Sequence, residues 1–238
     1  MFKTLKNKFK EIVKENGLKS EEVRVVGRAI TPKEAIGNPI DQDYPIQKGK
    51  ERMMQAEFKG SLGQAFTDMS GNFEGKLSRI MGLHLTDNFQ RAVYLSTVNA
   101  VVRHIGMVDR SIHCRDNGPV KCSQDLVAHI KKEFGKPKIA LVGLQPRMLE
   151  SLASKFDVRV TDLDEDNIGE QKYGIRIGPP QRTEANLNWC DIALVTGTTF
   201  VNDTISEFKS EKPVIFYGST ITGPARLLGL THFCPYSL

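Results

Sequence analysis

The sequence predicts an α/β protein in two parts, an α+β front and a back half built on a parallel sheet, and three observations predict it. Beyond Pro137, short apolar runs alternate with helical segments, the pattern of parallel strands joined by crossover helices. The runs Lys138–Gly143, Asp191–Thr196 and Pro213–Gly218 lack polar alternation, as strands covered on both faces do. Before Pro137, helical patterns dominate and β-branched runs are few. A chain of 238 residues, 39% hydrophobic and 26% charged, has the composition of a folded protein, not of a disordered or fibrous one. The expected domains are residues 1–136 and 137–238.

A basic helix opens the chain, with Leu5, Phe9, Ile12 and Val13 at helical spacing and Gly17 as its stop. Glu22–Ile30 has the β-branched density of a strand. Residues 31–59 carry Pro32, Gly37, Pro39, Pro45 and Gly49 and read as a long, partly ordered excursion. Gly60–Thr67 reads as a strand with close-approach glycines, and front-half β content is expected to be small. Asp87 can cap a helix running to Ile105, where Phe89, Ala92, Val93, Ala100, Val101 and Ile105 form an apolar stripe and Gly106 supplies a left-handed stop. Ser123 is expected to cap Gln124–Phe134, and residues 136–138 then link the two parts. In the back half, strands are expected at 138–143, 157–162, 191–196, 213–218 and 231–234, with helices over 146–156, 203–209 and 224–228. Together these make a Rossmann-like half.

The net charge of +5 divides as +7 over residues 1–136 and −2 over 137–238. Much of the excess surrounds the first helix, where a solvated face explains it. Nucleic-acid binding calls for aromatics interleaved with basic residues in a recognisable module, and neither is present. No apolar run approaches the roughly 20 residues that cross a bilayer, and the basic start lacks the apolar core of a secretory signal. A cytoplasmic location without membrane insertion is therefore expected. Cys114, Cys122, Cys190 and Cys234 are too few and scattered for a disulfide framework, and Cys190 reads as a buried thiol beside Trp189.

In an open parallel sheet, ligands bind beyond the carboxyl ends of the strands. Candidate ligand-binding residues there are Gly143, Gln145, Asp162, the run Thr196, Gly197, Thr198, Thr199, Asn202 and Thr204, and Gly218, Ser219 and Thr220. Small, hydroxyl-rich, glycine-containing loops let backbone approach a ligand while Thr and Ser donate to its oxygens, which suits a phosphate or carboxylate. The first loop has neither a dinucleotide fingerprint nor a Walker lysine, so NAD binding and NTP hydrolysis are not expected. Asp162 stands where an acid accepts from ribose hydroxyls, which keeps an S-adenosylmethionine-dependent methyltransferase as one alternative. His113, Cys114, Cys122 and Cys234 form a second set, suited to a transition metal such as zinc, iron or copper, though a spacing of seven residues between Cys114 and Cys122 is not diagnostic. A non-catalytic metal-handling protein is the other alternative.

The segments Thr196–Thr204 (TGTTFVNDT) and Tyr217–Thr220 (YGST), with Cys190–Val195 and Val214–Phe216 before them, resemble the heavy-metal-chelation domain family. Lys138–Gly143, Gly63–Thr67 and Val98–Ala100 are also similar. The resemblance implies an enolase N-terminal-like α+β domain followed by a Rossmann-like domain, with a cleft between them. It also implies a role in metal chelation or in pterin, flavin or metallophore metabolism. The leading expectation is a small, anionic or metal-complexing molecule bound in that cleft, with catalysis and homo-oligomerisation left open.

Overall fold

The computed structural model of the protein describes residues 1–26, 32–39, 41, 43–48 and 51–238. The second half of the expected strand at 22–30, and parts of the excursion at 31–59, lie outside the described residues.

Helix α1 (Phe2–Glu15) buries Leu5, Phe9 and Val13 on the stripe that their spacing marks. Strand β1 (Glu22–Val26) and helix α2 (Pro32–Ile36) follow, then a 3-10 turn at Pro45–Lys48. β2 (Arg52–Phe58), β3 (Ser61–Thr67) and β4 (Phe73–Lys76) complete an antiparallel sheet in the order β3-β2-β1-β4. The front half therefore holds more strand than its β-branched content suggests. β2 reads RMMQAEF, with no β-branched residue; its register against β3, from Arg52↔Thr67 to Phe58↔Ser61, sustains it as a strand.

After helix α3 (Leu77–Met81), α4 (Asn88–His104) is capped by Asp87, whose carboxylate accepts from the Gln90 amide at 2.8 Å. The cap is where the sequence puts it, but the single apolar stripe is a correction. Every residue from Ala92 to Val102 is buried, because α4 runs between the front sheet and the elements of the back half. Gly63 on β3 makes this possible: a Cβ there would lie 2.2 Å from the Ala100 nitrogen and 2.4 Å from the Ser96 carbonyl oxygen. Helix α5 (Gly118–Phe134) starts five residues before the expected Ser123 cap. Pro119 fits the first turn, where its missing N–H costs nothing, and the Ser123 hydroxyl donates inside the helix to Val120.

The back half comprises β5 (Ile139–Val142), α6 (Pro146–Ala153), β6 (Val158–Thr161), β7 (Gln171–Lys172), β8 (Ile175–Gly178), α7 (Thr183–Trp189), β9 (Ile192–Thr196), α8 (Thr198–Val201), β10 (Val214–Tyr217), α9 (Thr222–Leu228) and β11 (His232–Phe233). Its sheet has the order β11-β10-β9-β5-β6-β8-β7 and is parallel except where β7 meets β8. The five expected strands are present. The hairpin β7–β8, helix α7 and the short α8 were not anticipated, and the helix expected at 203–209 is a 3-10 turn, Ile205–Phe208.

From β5 the chain moves to β6 on one side and later returns to β9 on the other. The strand order therefore reverses between β5 and β9, which is where a parallel sheet opens a crevice at its carboxyl edge. One apolar cluster runs from Leu5 and Val25 through Tyr94 and Val101 to Val195, Phe200 and Ala225, so both sheets share it. Asn99, fully buried, reinforces the seam. Its Nδ2 lies within hydrogen-bonding distance of the Gln64, Ser219 and Thr220 carbonyl oxygens at 2.8, 3.1 and 3.1 Å, and its Oδ1 accepts from the Gly223 amide at 2.7 Å. Among the described residues no helix is long and apolar enough to cross a membrane.

Candidate functional site

A cavity of about 580 Å³ opens at the reversal point. Its floor is the carboxyl edge of β5, β6, β9 and β10; its other walls are Ile36, Tyr44, Ile46 and Glu51, the end of β3, and the segment from His113 to Cys122. Of the expected ligand-binding residues, Gly143, Gln145, Asp162, Thr196, Gly197, Thr198, Thr199, Asn202, Thr204, Gly218 and Thr220 line it. Ser219 does not: it is fully buried, with no partner for its hydroxyl.

Many of those groups are already engaged. The TGTTFVN run is a single helical turn, and its amides serve the protein itself: Gly197 donates to the Tyr217 carbonyl (2.8 Å), Phe200 to Gly197 (3.1 Å), Asn202 to Thr198 (2.9 Å) and Thr204 to Thr199 (2.9 Å). The Thr199 hydroxyl donates to the Thr196 carbonyl at 2.7 Å, and Thr220 Oγ1 accepts from the Phe66 amide at 3.0 Å. This leaves the Thr196–Thr198 hydroxyl pair, 3.1 Å apart, and the half-buried Asn202 as the polar rim. Gly143 adopts φ +86°, and a Cβ there would meet Thr196 Cγ2 at 2.6 Å, so a side chain at 143 would push into the same rim. Gln145 Oε1 caps α6 by accepting from the Met148 amide.

Asp162 spends both carboxylate oxygens on backbone, Oδ2 on the Leu144 amide at 2.5 Å and Oδ1 on the Asp164 amide at 2.7 Å. It braces the β5 and β6 loops, which competes with the ribose role read from its position.

The thiol set is brought to one wall. Cys114, Cys122, Cys234 and His113 all line the cavity, because α5 starts early and carries Cys122 back past Cys114, while the β11 end delivers Cys234. Burial pushes the Cys114 thiol up to about 12, with Cys234 adding to it, and also raises Cys122 and Cys234. These are protonated, unreactive thiols at neutral pH. His113 is lowered to about 4 by burial, and its Nδ1 lies 2.6 Å from the Cys114 carbonyl oxygen, which fixes the Nδ1–H tautomer and leaves Nε2 with its lone pair. Among the described residues, however, no group of three or more His, Cys, Asp or Glu converges closely enough to hold a metal ion. The donor types suit a soft metal, but their arrangement is not a coordination shell.

The sequence reading missed two residues, Tyr44 and Glu51. Tyr44 is 5% exposed, lines the cavity and among the described residues has no partner for its hydroxyl. Glu51 also lines it; burial first, then Asp162 and Asp164, push its carboxyl up from 4.5 to about 7. Both sit in the stretch read as an excursion, and the only signal was the polar-aromatic mixture DYPIQ and a lone acid before an apolar run. The segment is tied down by Arg147 of α6, whose guanidinium meets Asp41, Asp43 and Glu150 at 2.9 Å each and the Tyr173 hydroxyl at 2.6 Å.

What fold and cavity define is an α/β protein with a ligand-sized crevice at a strand-order reversal. Residues 125–222 match DUF364, the family described as "Putative heavy-metal chelation", so the resemblance carried by the TGTTFVNDT and YGST segments holds over that stretch. Among solved structures, the chain is similar to a DUF364 protein of unknown function from Pyrococcus horikoshii, with 16% identity and a TM-score of 0.57 over 91% of this chain and 79% of that one. It is also similar to one of unknown function from Desulfitobacterium hafniense DCB-2, with 14% identity and a TM-score of 0.52 over 75% and 72%. At such identities the likeness is one of fold. No curated protein matches.

Proposed function

We propose that the chain divides at 136/137 into an enolase N-terminal-like front and a Rossmann-like back, and that it binds a small organic molecule in the cavity between them. The observation that carries this is the cavity itself. Its volume of about 580 Å³ lies within the roughly 300–1,000 Å³ of ligand pockets, and it sits where parallel sheets take their ligands. Apolar groups such as Ile46, Phe66 and Met148 would hold the body of the guest, while Thr196, Thr198 and Asn202 would fix its orientation.

The expectation of an anionic guest changes on this reading. The charged groups lining the cavity are Glu51, Asp68, Asp162, Asp164 and Glu207, and no lysine or arginine is among the described lining residues. A phosphate or carboxylate would meet repulsion at close range.

The test uses protein labelled with ¹³C at the methionine methyls and benzamide as a neutral probe. Met148 lines the cavity and Met81 on α3 does not. Saturable shifts confined to Met148, lost in Thr198→Trp, are the expected result. A Met148 signal that stays still up to millimolar probe would remove the reading.

A further inference from the structure

Resting on the cavity reading and narrowing it, we propose that the guest is an organic cation, an apolar body bearing a protonated nitrogen that is received by the Glu51 carboxylate and the Tyr44 hydroxyl.

Three independent features of the cavity lead there. The first is charge: a chain of net charge +5 presents five carboxylates and, among the described lining residues, no cationic side chain to this space. The nearby guanidinium of Arg147 is not free to compensate them, being held by Asp41, Asp43 and Glu150.

The second is an unmet hydrogen bond. Tyr44 is 5% exposed and among the described residues its hydroxyl has no partner, a condition that buried polar groups rarely tolerate unless something else arrives to satisfy them. A phenol oxygen accepts from an N–H as readily as it donates. Glu51 offers a second receiving group in the same cavity. Among the described residues no side chain donates to its carboxylate, whereas Asp162 beside it has both oxygens held by backbone amides. Asp68 accepts from Asn88, Asp164 accepts from the Asp166 amide and lies near the Asn167 side-chain amide nitrogen, and Glu207 is exposed, so the half-buried acid that remains to receive a guest is Glu51.

The third is the aromatic lining. Tyr44, Phe66, Phe208 and Tyr217 all border the cavity, and ring faces attract cations that have shed water. A bare divalent metal would satisfy the charge but not the geometry, since the carboxylates do not converge into a coordinating group. An organic ammonium or amidinium satisfies charge, hydrogen bonding and apolar surface together.

The experiment compares three probes of one shape and different charge, benzamidinium, benzamide and benzoate, at pH 8, followed through the Met148 methyl of otherwise unmodified protein. The expected result is benzamidinium binding at least tenfold more tightly than benzamide, with benzoate weakest. Glu51→Gln should bring benzamidinium and benzamide within threefold of each other, and Tyr44→Phe should weaken benzamidinium about threefold. Equal affinity for the cation and the neutral probe at Met148 overturns the cation assignment while leaving the cavity reading intact. Silence of Met148 toward all three overturns the cavity reading itself. A cation preference undiminished in folded Glu51→Gln removes Glu51 as receiver, and with it the proposal. The wild-type comparison stands without any variant.

Discussion

Replacing Glu51 by glutamine should stabilise the protein, and only at neutral and alkaline pH. Below about pH 4.5 the Glu51 carboxyl is protonated in folded and unfolded chains alike, so the variant and the wild type differ little. Between 4.5 and about 7 the unfolded chain ionises first while the folded cavity holds the proton, and wild-type stability falls as pH rises through this window. Above 7 both states are ionised and the full penalty of a carboxylate pressed against Asp162 and Asp164 remains. The gap from 4.5 to about 7, at about 1.4 kcal/mol for each pH unit, sets the advantage of the variant at about 3 kcal/mol at pH 8, with about 2 kcal/mol a sound floor for a partly exposed side chain. For a chain of this length that is a rise in Tm of roughly 5–10 °C. Urea unfolding of both proteins at pH 4, 5, 6, 7 and 8 measures it directly, because other titrating groups cancel in the difference. A stability difference that does not change with pH would refute the reasoning, for it would mean that Glu51 ionises normally in the fold.

Gly63→Ala should cost about 3 kcal/mol or more by denaturant unfolding, since the added methyl would sit 2.2 Å from the Ala100 nitrogen with helix backbone unable to yield. Asn99→Leu strips partners from three carbonyls and one amide at a fully buried position, and a loss of about 4 kcal/mol is expected; a loss under about 1 kcal/mol would show that the seam is held by packing alone. Arg147→Met leaves Asp41, Asp43 and Glu150 facing one another and should cost about 2 kcal/mol while raising amide exchange across residues 32–48, measured by mass spectrometry. Zinc offered during purification and then dialysed away should remain well below stoichiometric by elemental analysis, with the Cys114, Cys122 and Cys234→Ser triple variant no different; one zinc per chain in the wild type would contradict the geometry of the thiol wall.

The back half was legible because its strands are buried on both faces and so appear as unbroken apolar runs: IALV, IALVT and VIFY stand out against any background. The cap at Asp87 was equally readable, being a local hydrogen bond with a local signature. What escaped was determined by partners far away in sequence. β2 is a strand because β1 and β3 flank it, and its two methionines and alanine carry no strand preference of their own. The polarity of the site was misjudged for the same reason. Thr199 and Thr220 look like ligand donors in sequence, but one satisfies its own turn and the other an amide in the front sheet. Tyr44 and Glu51, the groups with unmet bonding or weakened acidity, sit in a stretch where neither periodicity nor motif singles them out.

The burial of α4 from Ala92 to Val102 ties the two sheets to one common element. A molecule whose halves met only at a crevice would open like a clamshell, but here such a motion would tear out one common helix and the polar contacts of its Asn99 at once. The described wall residues between β1 and β2 are held separately, by the arginine of α6 on Asp41 and Asp43 and by two bonds to Asp116, Asp116 N–H to the Ile36 carbonyl and Asn38 N–H to the Asp116 carboxylate. That wall also carries Tyr44 and Glu51, so the anchors that position it also position the proposed grip on a guest.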